Sequence, residues 1–563
     1  MTKSYDLIYS VLMRVFGTLS TFVEPIERNI VVGRQVAASC FLRALLEYSG
    51  FERFDFFLPN LYSCQFIKTH FQTEFGSENL HGRARIMEHT QLPEALRRET
   101  YSVFHLADFT TYLPALAHLR QNLAQKPFPI TGLSTSISEK DFFESYFRMM
   151  LHGVQDFDGI VCISRCVKDA LEKAFRLLEQ RFQAFTGSVW LNPIDLPVIP
   201  LGVDPSAFAQ PEREAARSKL KLPHERKIIL IFGRYSYADK MDLLPAVEIA
   251  LRLRSMFEDD PPLFVVAGSD PLNYRALLME YAQRRGAADL FCLRYNIPPE
   301  DKAHYFAAAD VFLSPSDNLQ ESFGITILEA MAAGLPVVAS DFDGYRELIL
   351  DGKTGFCIPT YWGPCAGDIE LISGILFRNT HNFYLAQSIA PDLDKMAEAL
   401  RLLLSNPSLR REMGQAGRDK AQSDYGWKSI IGMYEELWGR LADRTRGREM
   451  SPAPDPFEVP YYQLFGHYVT RPIGGMDLIC IAAAGIRLLE KKASAPVYPE
   501  LATMISEESL HHILVLCRHQ QRSVAFLQER LQAARRLSSE TSLYHILWGL
   551  KQGLLRLAAQ EES

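Results

Sequence analysis

Two carboxylates, Glu321 and Glu329, flank a glycine in the run Glu321-Ser-Phe-Gly-Ile-Thr-Ile-Leu-Glu329. On a continuous helix that spacing is a little over two turns, about 12 Å along the axis and roughly 80° around it. Both side chains could then face one cleft at the helix start, at different depths. Gly324 would let a ligand approach the free backbone N–H groups there, and the helix dipole favours an anion at that end. Taken singly, Glu321 reads as a first-turn residue and Glu329 as a solvated helix residue. The glycine between them and the strand–loop–helix–strand setting give the pair its chemical meaning.

The flanking elements support that setting. Asp310-Val-Phe-Leu reads as the end of a buried strand closed by the Ser314-Pro-Ser turn. From Ser322 to Ala333 the residues Phe323, Ile325, Ile327, Leu328, Met331 and Ala332 recur at helical spacing. Gly334 stands where a left-handed cap belongs, Pro336 forbids continuation, and Val337-Val-Ala begins the next strand.

The stretch from Glu321 through Glu329-Ala-Met-Ala-Ala-Gly334-Leu-Pro-Val-Val-Ala resembles the signature of retaining GT-B glycosyltransferases of the family-4 type, glycosyl transferases group 1. The resemblance implies two doubly wound Rossmann-like domains facing a cleft, and a nucleotide diphosphate sugar, UDP- or GDP-linked, held without a metal or other cofactor. It implies that Glu321 receives the sugar hydroxyls and Glu329 the ribose hydroxyls, with Phe323, Gly324 and Ile325 at the donor. Lys227-Ile-Ile-Leu-Ile-Phe-Gly233-Arg234 is a buried strand reaching a glycine turn, with Lys240 beyond it. Arg234 and Lys240 match the family's arginine and lysine in this loop: a guanidinium forks across two phosphate oxygens and an ammonium supplies a compact charge. Met241 stands where the family commonly has glycine. Arg294, ending Leu290-Phe-Cys-Leu-Arg, matches the base-reading segment, and Gly33 matches the glycine turn that faces the diphosphate from the other domain. Gly132-Leu-Ser-Thr-Ser-Ile-Ser138 offers Thr135 where many members have a histidine, so the sugar or acceptor side is assigned to Thr135 or His105. His105 also reads as a satisfied structural histidine.

Alternating strands and helices along the chain argue independently for doubly wound parallel sheets. The expected organisation is a first domain over 1–210, a donor domain over 211–425 and a helix over 426–442 that crosses back onto the first domain. A charged, proline-rich linker follows over 443–458, then a mainly helical module over 459–563 with helices at Met476–Lys491, Glu507–Cys517, Arg522–Arg536 and Ser542–Leu557. The last of these is reminiscent of a winged-helix reading helix, but its basic stripe is thin, which favours docking or oligomerisation. Tyr361 to Asn382 is less regular and reads as an insertion.

A length of 563 residues calls for two or three domains, and 47% apolar with 23% charged residues is the balance of a soluble globular protein. The net charge of −7 argues against a general nucleic-acid binder. Nine cysteines, odd in number and scattered, suit a reducing cytoplasm, and Cys162 and Cys166 lack a second ligand pair for a metal. No segment has the length and purity of a membrane span. Tyr5 to Gly17 is apolar but broken by Asp6 and Arg14, so it reads as a packed helix, with contact at the inner face of the membrane as the alternative. The expected partners are the nucleotide-sugar and a glycan, lipid-linked or other hydroxyl acceptor. Two competing functions remain at this level: a phosphorylase or epimerase on the same fold, and a non-catalytic scaffold acting through its C-terminal module.

Overall fold

Parallel strands buried on both faces must be covered by helices on both sides, and their sequences are short apolar runs. The computed structural model describes residues 14–23, 33–79, 82–135, 137–139, 142–189, 193–208, 211–377, 380–491 and 498–558. In it, β1 (Val15–Thr18), β2 (Arg53–Leu58), β3 (Ala84–Glu88), β4 (Val103–Leu106), β5 (Ile130–Ser134) and β6 (Gly159–Cys162) form one sheet in the order β3-β2-β1-β4-β5-β6. A second sheet contains β7 (Ile228–Phe232), β8 (Leu263–Gly268), β9 (Phe291–Tyr295), β10 (Val311–Ser314), β11 (Val337–Ser340) and β12 (Gly355–Ile358), in the order β12-β11-β10-β7-β8-β9. Each sheet thus follows the same doubly wound path. In the second sheet the order reverses between β7 and β10, which pair in parallel. Ligands of such sheets bind beyond the carboxyl ends of the strands at that reversal.

The start of the chain departs from expectation. Val15–Thr18 is a fully buried strand pairing with β2 and β4, not the end of a helix. The rest of the expected N-terminal helix, and the stretch Ile30-Val-Val, lie outside the described residues. The helix Gly33–Tyr48 forms as expected.

The crossing helix runs Trp427–Arg444, two residues past its expected end. It lies on the first sheet: Trp438 Nε1 donates to Thr131 Oγ1 at 3.0 Å, and Glu435 Oε1 accepts from the Gly50 amide at 2.8 Å. The irregular stretch after β12 is framed by an antiparallel pair, β13 (Thr360–Tyr361) with β14 (Ala390–Pro391), and carries the helices Gly367–Ile372 and Thr380–Ala386.

The chain divides into two compact units. One comprises Met1–Phe57, Ile67–Ile86 and Leu96–Ala453, and the other Leu58–Phe66, Met87–Ala95 and Pro454–Ser563. The second is mainly helical but holds a three-stranded antiparallel sheet in the order β16-β15-β17, made of β15 (Leu478–Ile481), β16 (Arg522–Ser523) and β17 (Leu555–Leu557). Three expected helices are therefore shorter, the one expected over Arg522–Arg536 running Val524–Arg535 after β16. Leu478–Ile481 is a strand, with a helix only at Ala483–Leu489, and the last helix is Ser539–Lys551, turning through Gly553 (φ 68°) into β17. Ser506, Ser523 and Ser538 cap the three longer helices by accepting from Ser509, Phe526 and Thr541 amides. Ile479, Ile513, Leu527, Leu531 and Ile546 form the core beneath them. Among the described residues no helix is long and apolar enough to cross a membrane.

Candidate active site

The loops leaving β7 and β10 are tied to each other. Asn318 Nδ2 donates to the Ala238 carbonyl at 3.0 Å, the Asp242 amide donates to Asp317 Oδ1 at 3.2 Å, and Ser316 Oγ donates to the Lys240 carbonyl at 3.5 Å. The Ser314-Pro-Ser-Asp-Asn turn is thus a brace holding the basic loop. Burial raises the Asp317 carboxyl to about 7, with the charge of Asp242 adding to it.

This brace brings Lys240 onto Glu321. Its ammonium pairs with Glu321 Oε2, which also accepts from Tyr345 Oη at 3.2 Å; Tyr345 Oη in turn lies 2.9 Å from Ser314 Oγ. Arg234 leaves the end of β7 with Nη2 3.2 Å from Asp239 Oδ1, while its Nε is buried without a hydrogen-bond partner.

Glu321 lies outside the helix, which corrects the helical spacing of the two carboxylates. The helix is only Ile325–Ala332, with Gly324 as N-cap at φ 100°. A left-handed residue there breaks the periodicity after Phe323, so Glu321 belongs to the loop and Glu329 to the helix. A Cβ on Gly324 would also stand 2.6 Å from Tyr345 Cε1. The first amides of this helix have no partners within it. Across the cleft, Gly33, the first residue of the helix Gly33–Tyr48, approaches the same end: a Cβ there would lie 4.0 Å from Ile325 Cγ2. Phe323 is buried, edge-on to Tyr425 with ring centroids 6.3 Å apart.

Glu329 is buried with a side chain 6% exposed. Its Oε1 pairs with the Lys302 ammonium, a residue that periodicity and motif did not single out, and its Oε2 is buried without a partner. The Lys302 ammonium also lies 5.6 Å from the Phe232 ring centre and 6.0 Å from that of Phe208.

The two Rossmann-like halves touch around this point. Ser164 Oγ donates to the Ser322 carbonyl at 3.1 Å, and Ser322 Oγ to the Thr135 carbonyl at 3.3 Å. Thr135 is therefore beside the site, its Oγ1 donating to Asp108 Oδ2 at 3.2 Å. Asn382 Nδ2 bridges Gln320 Oε1 at 3.1 Å and Ser138 Oγ at 3.2 Å.

One expected site residue lies elsewhere. His105 is buried within the first domain, its Nδ1 2.9 Å from Thr131 Oγ1 and its ring packed against Phe41, Tyr434 and Trp438. Burial lowers its pKa to about 3, so it is a neutral packing residue with no face toward the cleft. Arg294 ends β9 next to Tyr295, with Nη2 3.4 Å from the Leu220 carbonyl and its own carbonyl accepting from Tyr235 Oη at 3.1 Å. Cys162 lies on β6 and Cys166 on the helix Arg165–Thr186, so they share no helix face.

The model of the glycosyl transferases group 1 family matches residues 212–372, the segment that carries Arg234, Lys240, Lys302, Glu321 and Glu329. Residues 212–372 belong to glycosyl transferases group 1.

Relatives of this group 1 segment include a D-inositol 3-phosphate glycosyltransferase of Geodermatophilus obscurus, 38% identical over 277 residues that cover 48% of this chain and 52% of that protein. Another, from Thermobifida fusca, is 30% identical over 233 residues, covering 41% of this chain and 46% of that one. The chain thus spans about half the length of the curated relatives it matches. In architecture it is similar to Anabaena Alr3699/HepE solved with UDP, at TM-score 0.51 and 14% identity, over 76% of this chain and all of that one. A glycosyltransferase from Rickettsia africae gives a TM-score of 0.50 at 14% identity, over 76% and 98% of the two chains. The fold is GT-B.

Proposed function

We propose that the protein is a retaining glycosyltransferase that moves a sugar from a nucleoside diphosphate to an acceptor hydroxyl, without a metal. The observation that carries this reading is the meeting of Lys240 and Glu321 at the Gly324 end of a buried helix, with Arg234 at the adjoining strand end and Gly33 opposite.

In the proposed reaction the bond between the anomeric carbon and the β-phosphate oxygen breaks, and its electrons stay on the departing diphosphate. Arg234, Lys240 and the first amides of Ile325–Ala332 would stabilise that charge, all positioned before the reaction begins. The acceptor oxygen joins the anomeric carbon on the same face, and its proton passes to the departing phosphate oxygen, so no protein base is required. Glu321, fixed by Lys240 and Tyr345, would accept from the sugar hydroxyls, and Glu329 from those of the ribose. Hydrogen bonds between the two halves at Ser164, Ser322 and Thr135 support a closed site that keeps water from the sugar. Anabaena Alr3699/HepE was solved with UDP, which makes UDP-sugars the first donors to test and GDP-sugars the second.

Calorimetric titration of UDP, GDP and ADP into the protein and into Arg234→Ala tests the donor half. One nucleotide is expected to bind, and Arg234→Ala to weaken it at least roughly tenfold, the worth of a charged hydrogen bond. Failure of every nucleotide to bind would contradict the reading.

A further inference from the structure

Glu329 is an unusual acid for the floor of a donor site. Nearly all of its side chain is buried, yet one oxygen is engaged and the other is not: Oε1 pairs with Lys302 and Oε2 has no partner. A buried carboxylate oxygen without a donor is costly, and a ligand hydroxyl that reaches it would supply the missing donor. Lys302 is itself held in place. It begins the helix Lys302–Ala308, where the helix dipole opposes a cation, so local helix energetics do not account for a lysine at this position. Its ammonium lies near the rings of Phe232, at the end of β7, and Phe208, in the turn Pro205–Phe208 between the two halves. The same carboxylate acts on the opposite side of the cleft: it is one of the charges that help to raise the Cys40 thiol above its ordinary pKa, after burial itself, and Lys302 works against it there.

Resting on the donor reading above, we infer that Lys302 is a positioning residue for ribose recognition: its ammonium holds Glu329 Oε1 so that Oε2 is presented, unpartnered, to a hydroxyl of the nucleotide ribose. Lys302 balances the buried charge and fixes the carboxylate's rotation, while the hydroxyl completes its hydrogen bonding. A site built in this way rejects a ligand that lacks the hydroxyl, because one carboxylate oxygen then stays buried and unmet. Removing Lys302 frees the carboxylate to turn or to draw in water, and the discrimination is lost even though Lys302 does not touch the ribose.

The test is the ratio of affinities for a ribonucleotide and its deoxy counterparts, measured by calorimetry on the full chain with UDP, GDP and their 2′-deoxy and 3′-deoxy forms. The wild type is expected to prefer the ribonucleotide by roughly tenfold or more over one deoxy form. Lys302→Met and Glu329→Gln are each expected to bring that ratio to within about threefold of unity, and Lys302→Arg to restore most of it, with unchanged melting confirming that the variants fold. A general loss of packing would weaken all the nucleotides together and leave the ratio alone. Lys302→Met with the wild-type ratio would overturn the inference, as would tighter ribonucleotide binding by that variant, which would make Lys302 a competitor for the carboxylate. A wild type that binds both sugars equally would remove the ribose role of Glu329 and the inference with it. A wild type that binds neither UDP nor GDP would overturn the donor reading itself.

Discussion

The Glu347 carboxylate caps a helix in the other half of its own unit: Oε1 accepts from the Arg165 amide at 2.6 Å and from the Cys166 amide at 3.3 Å, at the start of Arg165–Thr186. A carboxylate against the positive end of a helix is a favourable pairing, and here it joins the two Rossmann-like halves.

Glu347→Ala should therefore weaken closure rather than folding. The loss of a cap is worth roughly 1 kcal/mol, about a fivefold shift toward more open forms. Small-angle scattering should show a larger radius of gyration, and kcat/KM should fall by a similar factor. An unchanged radius and rate would mean that the cap is incidental to closure.

Gly324→Ala should destabilise the site. The new side chain would force a left-handed backbone on alanine, worth about 1–3 kcal/mol, and drive a methyl into Tyr345. Thermal melting should fall and nucleotide affinity with it. A variant that melts like the wild type would show that Gly324 is free to leave φ 100°.

Asp343 links the site to pH. It sits at φ 46° with Oδ1 buried and unpartnered, and burial, followed by the charge of Glu321, raises its carboxyl to about 7. The folded protein therefore holds a proton that the unfolded chain, with its ordinary value of 3.8, has released between pH 3.8 and 7. Stability from this group is fully present below pH 3.8 and is lost as pH rises toward 7, by up to about 1.4 kcal/mol per unit. Asp343→Asn mimics the protonated form, and asparagine tolerates the left-handed backbone. Its unfolding free energy should exceed that of the wild type more at pH 8 than at pH 5. An equal difference at both values would contradict the assignment.

Much of this architecture is legible in the residues. Short apolar runs bounded by turn residues, such as Ile228–Phe232 and Val337–Ser340, read as buried strands, and Arg234 and Lys240 follow the strand end at which the sheet order reverses. What stays hidden depends on long-range pairing. Val15–Thr18 is a strand because β2 and β4 flank it, and Leu478–Ile481 because β16 and β17 do. Local periodicity carries neither fact. The helix after Glu321 starts late because Gly324 is left-handed, which its spacing to Glu329 does not reveal. Lys302 escapes notice because it is distant in sequence from the carboxylate it serves, and His105 turns out to be packing because four aromatic rings surround it.

The most direct measurement is transfer itself. The full chain would be incubated with labelled α-linked UDP- and GDP-hexoses and an extract of glycan and lipid acceptors, and the product linkage read by NMR. An α-linked product from one donor is expected, and a loss of roughly 100-fold in turnover for Glu321→Ala with nucleotide affinity largely kept. No transfer from any donor, a β-linked product, or full turnover by Glu321→Ala would contradict the proposed function.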